Sequence, residues 1–266
     1  MAKPKNKGQN IGMQVLEPVI EKYVFAKPFK GDEAKAVYEE VMGRVEKDFK
    51  NSPVFNNYFR FNEQTGEING SNIYFGILIN KVLSKNGLFL PTIQQAKQLD
   101  SLGILSNNVY RDYGIVIYSE DQPNQEVAQR LIQEASKREW KLPILASFKT
   151  LDIIEPEAKI SFSKDVEGII TGEEARQYLD KEFNYKRDSG VCGLGRGGDG
   201  NWDAGWSGFG GSGADGRVDF VCGEATTKNL ETALLLEIHN SAQKEVESLN
   251  TKIASAKGAA LQILRG

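Results

Sequence analysis

The chain has a single histidine, His239, among 266 residues. That excludes any site built on two imidazoles and removes most histidine-based acid–base chemistry. It has only two cysteines, Cys192 and Cys222, too few for a disulfide-rich secreted module. Both stand in short V-C-G runs with strand character. The plainer expectation is two buried small hydrophobes; the alternative is a disulfide or thiol pair clamping the base of the segment between them. A basic excess is missing too. The net charge is −3, whereas a nucleic-acid binder needs a surplus of Lys and Arg to neutralise phosphates. No apolar run approaches the roughly 18 residues a membrane span needs, so membrane insertion is not expected. The opening Met1 to Gly8, MAKPKNKG, lacks the apolar stretch of a secretory signal. Residues 1–12 are expected to be a disordered tail, and a cytoplasmic location is the default.

What is present is enough for a core. Hydrophobic residues make up 40% of the chain and charged residues 26%, as in ordinary soluble folds. Asp32 to Lys50 predicts a helix capped by Asp32, with Ala36, Val37, Val41 and Val45 as its apolar stripe. Phe55 to Asn62 alternates aromatic and polar residues and predicts a strand, followed by turn residues in EQTGEING. Asn72 to Lys85 is strongly apolar and ends at Asn86-Gly87, the signature of a buried helix with a glycine C-cap. Thr92 is placed to cap a further helix running to Leu102. Tyr113 to Ser119, Asn124 to Arg138 and Leu142 to Phe148 read as strand, helix and strand, which suits a right-handed parallel crossover inserted into the fold. Thr171 to Glu182 predicts another helix. Residues 13–225 are taken as one domain, and Thr226 to Leu264 as a long C-terminal helix. Val246, Leu249, Ile253, Ala256, Ala260 and Ile263 give that helix a short heptad pattern and a route to homo-oligomers.

The anomalous stretch is GVCGLGRGGDGNWDAGWSGFGGSGADGRVDFVCG, Gly190 to Gly223, which holds 13 of the 27 glycines. Glycine at this density usually marks a flexible linker. A linker, however, is not studded with Trp202, Trp206 and Phe209, nor flanked by apolar strands. Those features predict a folded loop with buried aromatic anchors. From Gly193 to Arg217 the segment lacks Lys, Glu, Gln and Met altogether, and its charges are only Asp and Arg. Randomising the adenines of AAC codons gives this filter directly. The third base stays C, so Gly, Asp, Ser, Ala, Tyr, Phe and Arg are reachable and Lys, Glu, Gln, Met and Trp are not. Asn201 then stands as an unchanged codon, and the tryptophans as fixed residues.

The pattern G-L-x-R-x-x-x-G-x-W-x-A followed by S-x-x-x-G-R-V resembles the variable region of diversity-generating retroelement proteins, archaeal ones in particular. The matching positions are Gly193, Leu194, Arg196, Gly200, Trp202, Ala204, Ser212, Gly216, Arg217 and Val218. The resemblance implies that Gly195, Gly197, Gly198, Asp199, Asn201, Asp203, Gly205, Ser207, Gly208, Gly210, Gly211, Gly213, Ala214 and Asp215 are variable, face outward and bind ligand. Trp202, Trp206 and Arg217 are then scaffold anchors. A weaker likeness lies upstream, where helix, Leu90-Pro91-Thr92 and helix follow the order of such folds. The implied architecture is α+β: a C-type-lectin fold of the formylglycine-generating-enzyme type, with a mixed or antiparallel sheet, flanking helices and the variable region at about 190–218. The implied function is display of a diversified surface to a protein or glycan, with no catalysis and no cofactor. Because this copy is mostly Gly, Ser, Ala and Asp at the variable positions, its own ligand is expected to bind weakly or not at all.

Other readings of the same residues lead elsewhere. Asp199, Asn201 and Asp203 have the spacing of an EF-hand calcium loop, although Gly205 falls one place late and Gly210 stands where a bidentate Glu belongs. A calcium- or glycan-binding lectin-like module with a structural glycine loop is therefore an alternative. Gly193, Gly195 and Gly198 match the dinucleotide fingerprint, with no helix pattern behind them. Glu173 and Glu174 are adjacent carboxylates that suit solvated first-turn acids better than catalysis. An adaptor acting through its C-terminal helix is the remaining alternative.

Overall fold

The computed structural model describes residues 24–164 and 166–224, together with 246, 249, 252 and 253. The expected tail at 1–12 lies outside the described residues, as does nearly all of the expected C-terminal helix. Of that helix only Val246, Leu249, Lys252 and Ile253 are described, and they are helical and exposed.

The fold is α+β. Strand β1 (Val24–Pro28) leads through Gly31 into helix α1 (Asp32–Asp48). Gly31, at φ 71°, stands at the N-cap and no side chain caps the helix, so Asp32 is its first residue and not its cap. The buried stripe runs through Ala34, Val37 and Val41, and Ala36 is exposed. The strand expected over Phe55 to Asn62 is shorter. Pro53–Phe55 forms a 3-10 turn, and pairing begins at β2 (Arg60–Asn62) with β3 (Glu67–Asn69). Helix α2 (Ile73–Leu83) is the apolar centre, capped by the Asn72 side chain accepting from the Phe75 N–H at 2.8 Å. A 3-10 turn then ends at Gly87 in the left-handed region, which only a residue without Cβ enters freely. After β4 (Leu88–Phe89), Thr92 and Gln95 make a reciprocal capping box for α3 (Ile93–Ser101).

Strand β5 (Arg111–Ile117), helix α4 (Gln125–Ser136) and strand β6 (Ile144–Ser147) follow. β5 and β6 pair antiparallel, so the unit is not a parallel crossover. The helix is an excursion from one end of the sheet. The hairpin of β7 (Leu151–Ile154) and β8 (Lys159–Phe162) holds it there: Arg130 donates to the Ile160 carbonyl at 2.9 Å, and the Phe162 N–H donates to Glu134 at 3.0 Å. With β9 (Ile170–Thr171), α5 (Gly172–Glu182), β10 (Tyr185–Lys186), β11 (Val191–Arg196) and β12 (Trp202–Trp206) in place, the principal sheet has the order β10-β12-β11-β5-β6-β9, with β5 and β11 at its centre. β13 (Arg217–Val218) joins β3. β14 (Phe220–Glu224) pairs antiparallel with both β1 and β4.

The sheet separates two apolar clusters. On one side α1, α2 and α4 pack Val41, Phe75, Ile79 and Leu131 with Ile115 and Ile117. On the other, α3 and α5 pack Leu99 and Leu179 with Val116, Cys192, Leu194, Trp202 and Ala204. The glycine-rich segment begins inside this sheet, so its strands are core while the turns between them lie at the surface. Among the described residues no helix is long and apolar enough to cross a membrane.

Candidate functional site

The first half of the segment is tied down by Arg196 and Trp202, neighbours across β11 and β12. Both are buried, and both reach Asp100 at the end of α3. One carboxylate oxygen takes the Trp202 indole N–H at 2.9 Å; the other pairs with the Arg196 guanidinium at 2.9 Å. Arg196 also donates to the Ser106 carbonyl at 3.1 Å and to the Asn107 side chain at 2.8 Å. The Trp202 ring stacks on Tyr113 at 5.6 Å and carries the Lys97 ammonium 4.5 Å from its centre. Between the strands, Gly197 to Asn201 is a tight turn. The Gly197 N–H donates to the Asn201 carbonyl, and Asp199 accepts from both the backbone and the side chain of Asn201.

The second half is organised by Tyr110. Its hydroxyl donates to the Ser71 carbonyl at 2.9 Å and accepts the Gly213 N–H at 2.8 Å, while its backbone bonds to Asp215 and Arg217. Ser212 donates to the Tyr58 carbonyl at 2.6 Å and accepts the Ser71 N–H at 2.9 Å. A Cβ on Gly216 would stand 2.7 Å from both Tyr110 and the Ser71 nitrogen. Arg217 closes the segment by donating to the Ala214 and Gly216 carbonyls at 2.7 and 2.8 Å. Phe209 is buried against the start of α2, where its carbonyl accepts the Ile73 N–H.

The positions expected to be fixed therefore lie inside this frame. Gly193, Leu194, Arg196, Trp202, Ala204, Gly216 and Val218 are buried; Gly200, Ser212 and Arg217 are partly buried. Of the positions expected to vary, Asp199, Asn201, Ser207, Gly208, Gly211, Ala214 and Asp215 are exposed. Gly195, Gly197, Gly198, Asp203, Gly210 and Gly213 are partly so. Gly205 departs from the outward-facing expectation. It is buried beneath the Tyr185 ring, which a Cβ would meet at 2.2 Å. Gly195 is also constrained, because a Cβ there would stand 2.8 Å from the Arg111 carbonyl oxygen.

Trp206 differs from the anchor expected of it: it is 52% exposed, against 7% for Trp202. The pairing explains this. Gly195 faces Asp203 but Gly193 faces Trp206, so β12 carries one extra residue between those pairs. That bulge turns Trp206 onto the same side as Asp203, away from the Trp202 side. There it stacks on Tyr110 at 6.2 Å and donates its indole N–H to the Gly208 carbonyl at 3.2 Å. The parallel pair Tyr185 and Asp203 brings Tyr185, 51% exposed, to the same side. Tyr185, Arg187, Asp203, Gly205, Trp206, Ser207 and Gly208 line an open cleft of about 480 Å³. Asp112, across Gly195 from Asp203, also faces this side. Burial pushes the Asp112 carboxyl up to about 6, although Ser71 donates to it at 2.7 Å. Burial, and then the Asp199 charge, raise the Asp203 carboxyl. Tyr110, Asp112, Tyr185 and Arg187 lie outside the glycine-rich segment, and no local pattern singles them out; strand pairing alone assembles them.

The rival readings find these surroundings. Asp203 lies in β12 while Asp199 is bonded to Asn201, and among the described residues no three His, Cys, Asp or Glu side chains converge as a metal site. Gly193 and Gly195 lead through a turn into another strand, not the helix a dinucleotide site requires. Glu173 is exposed at the start of α5, near Gln177 and Arg176. Cys192 and Cys222 are free and buried in different sheets, and burial raises their thiols to about 11 and about 12. No protein-family model matches the chain, and neither a curated protein nor a solved structure matches it.

Proposed function

We propose that this protein displays a diversified ligand-binding surface on a C-type-lectin-type core, in the manner of the variable proteins of diversity-generating retroelements. One observation carries this reading: the ten positions that the motif holds constant are buried or partly buried in the frame, whereas of the fourteen left free seven are exposed, six are partly exposed and only Gly205 is buried. A surface under mutagenesis has to be separated from the fold in this way. Many core substitutions cost about 1–3 kcal/mol against a total stability of about 5–15 kcal/mol. Loop residues braced by a sheet vary at little cost. The protein acts by binding, and the segment supplies no grouped nucleophile, base and orienting residue.

The test is to sequence the DNA flanking the gene. The reading predicts a near-copy of the codons for about Gly190 to Val218 beside a reverse-transcriptase frame, differing from the gene only where the copy carries adenine. Absence of such a repeat would contradict it.

A further inference from the structure

We propose that the cleft between Tyr185 and Trp206 binds a pyranose ring of a glycan. The inference deepens the display reading and rests on it for the choice of surface. Two aromatic faces are half open to solvent at one place in the fold, and the bulge in β12 is what presents Trp206 there. Exposed aromatic faces beside polar groups suit a ligand with one apolar face and a polar rim, which is the character of a sugar ring.

The polar groups are present and unspent. Among the described residues neither the Asp203 carboxylate nor the Arg187 guanidinium has a side-chain hydrogen bond or ion pair, although both line the cleft. A carboxylate accepts from ligand hydroxyls and a guanidinium donates to them, so together they address a neutral polyol. The size also fits. About 480 Å³ of open cleft falls in the range of small-molecule sites, room for one or two rings.

A protein partner is less well served. A standard interface covers about 800 Å² on each side and depends on a central cluster of large side chains. Beyond Tyr185, Arg187 and Trp206 the cleft is lined by Asp203, Gly205, Ser207 and Gly208, too few large side chains for an interface of that size.

The test is a titration of the isotope-labelled full chain with methyl pyranosides of glucose, galactose, mannose and N-acetylglucosamine, following the three indole N–H signals by NMR. Each is taken to about 50 mM, above the millimolar range of weak single-site binding. The expected result is saturable movement of the Trp206 signal by at least one pyranoside, with Trp140 and Trp202 unmoved. Asp203→Asn and Tyr185→Ala, both at the surface, should each weaken that binding about tenfold, a loss of about 1.4 kcal/mol. An unmoved Trp202 signal in each variant reports that the fold is intact. No movement by any pyranoside, or binding unchanged in both variants, overturns the inference. So does movement of Trp206 by an oligoproline peptide with none by the sugars. Finding a template repeat together with no sugar binding would remove this inference and leave the display reading standing. Sugar binding without a repeat would do the reverse.

Discussion

The indole N–H of Trp202 and the guanidinium of Arg196 share the carboxylate of Asp100, each at 2.9 Å. Three elements, α3, β11 and β12, are locked at that point, and the turn from Gly197 to Asn201 springs from it. Asp100→Ala leaves a buried arginine without its counter-charge and an indole without an acceptor. The expected cost is about 3 kcal/mol, read as a shift of the urea midpoint. Asp100→Asn keeps an acceptor for Trp202 and should cost less. Equal stability of Asp100→Ala and the parent would show that the frame does not depend on this pair.

Side chains added on the open turns should leave the fold intact. Ser207 is exposed, and a Cβ on Gly211 would have its nearest neighbour at 3.4 Å. Ser207→Tyr and Gly211→Tyr are each expected within about 0.5 kcal/mol of the parent. Gly195→Ala, by contrast, drives a methyl to 2.8 Å from the Arg111 carbonyl oxygen and should cost about 2 kcal/mol. Denaturation of the three variants side by side checks this. A Gly195→Ala variant as stable as Gly211→Tyr would contradict the geometry.

The Asp112 carboxyl gives the protein a pH dependence of known sign. Burial raises it to about 6 in the folded chain, above the roughly 3.9 of an unfolded aspartate. Its contribution is fully present below about pH 4 and is lost as pH rises through 6. Asp112→Asn removes that loss. The stability difference between variant and parent should therefore move in favour of the variant between pH 4 and pH 7, by at most about 3 kcal/mol. A difference independent of pH would mean that Asp112 is not desolvated.

Both thiols should be inert in the native state. Cys192 and Cys222 are buried, and raised thiols hold almost no thiolate at neutral pH. Labelling with a thiol reagent at pH 8 is expected to be negligible until denaturant is added, when two equivalents react. Prompt native labelling of either cysteine would contradict the packing of β11 or β14.

Much of this architecture is legible along the chain because it rests on local chemistry. The Asn72 cap, the glycine at 87 and the Thr92–Gln95 capping box each act within a few residues. The apolar run of α2 likewise needs no partner to be recognised. What was not legible depends on how distant strands meet. Nothing within Tyr113 to Phe148 states whether β5 and β6 run parallel, and the β7–β8 hairpin that holds α4 lies beyond that span. Trp202 and Trp206 are four residues apart, which in an unbroken strand places them on one face. The extra residue between the Asp203 and Trp206 pairs reverses that, and it is visible only in the register with β11. The same long-range pairing makes the cleft, since Tyr185 and Arg187 enter it from β10 and the residues just after it.

Deep sequencing of the gene across many cells of one population tests most directly the proposal that the surface changes while its frame does not. The predicted result is that differences between copies concentrate at the exposed positions, among them Asp199, Asn201, Ser207, Gly208, Gly211, Ala214 and Asp215. Gly193, Leu194, Arg196, Trp202, Ala204 and Gly216 should be constant. Large residues at Gly195 and Gly205 should be rare among folded copies, because backbone and the Tyr185 ring stand in their way. A uniform segment, or differences spread evenly along the whole chain, would contradict the claim that this protein exists to vary what it binds.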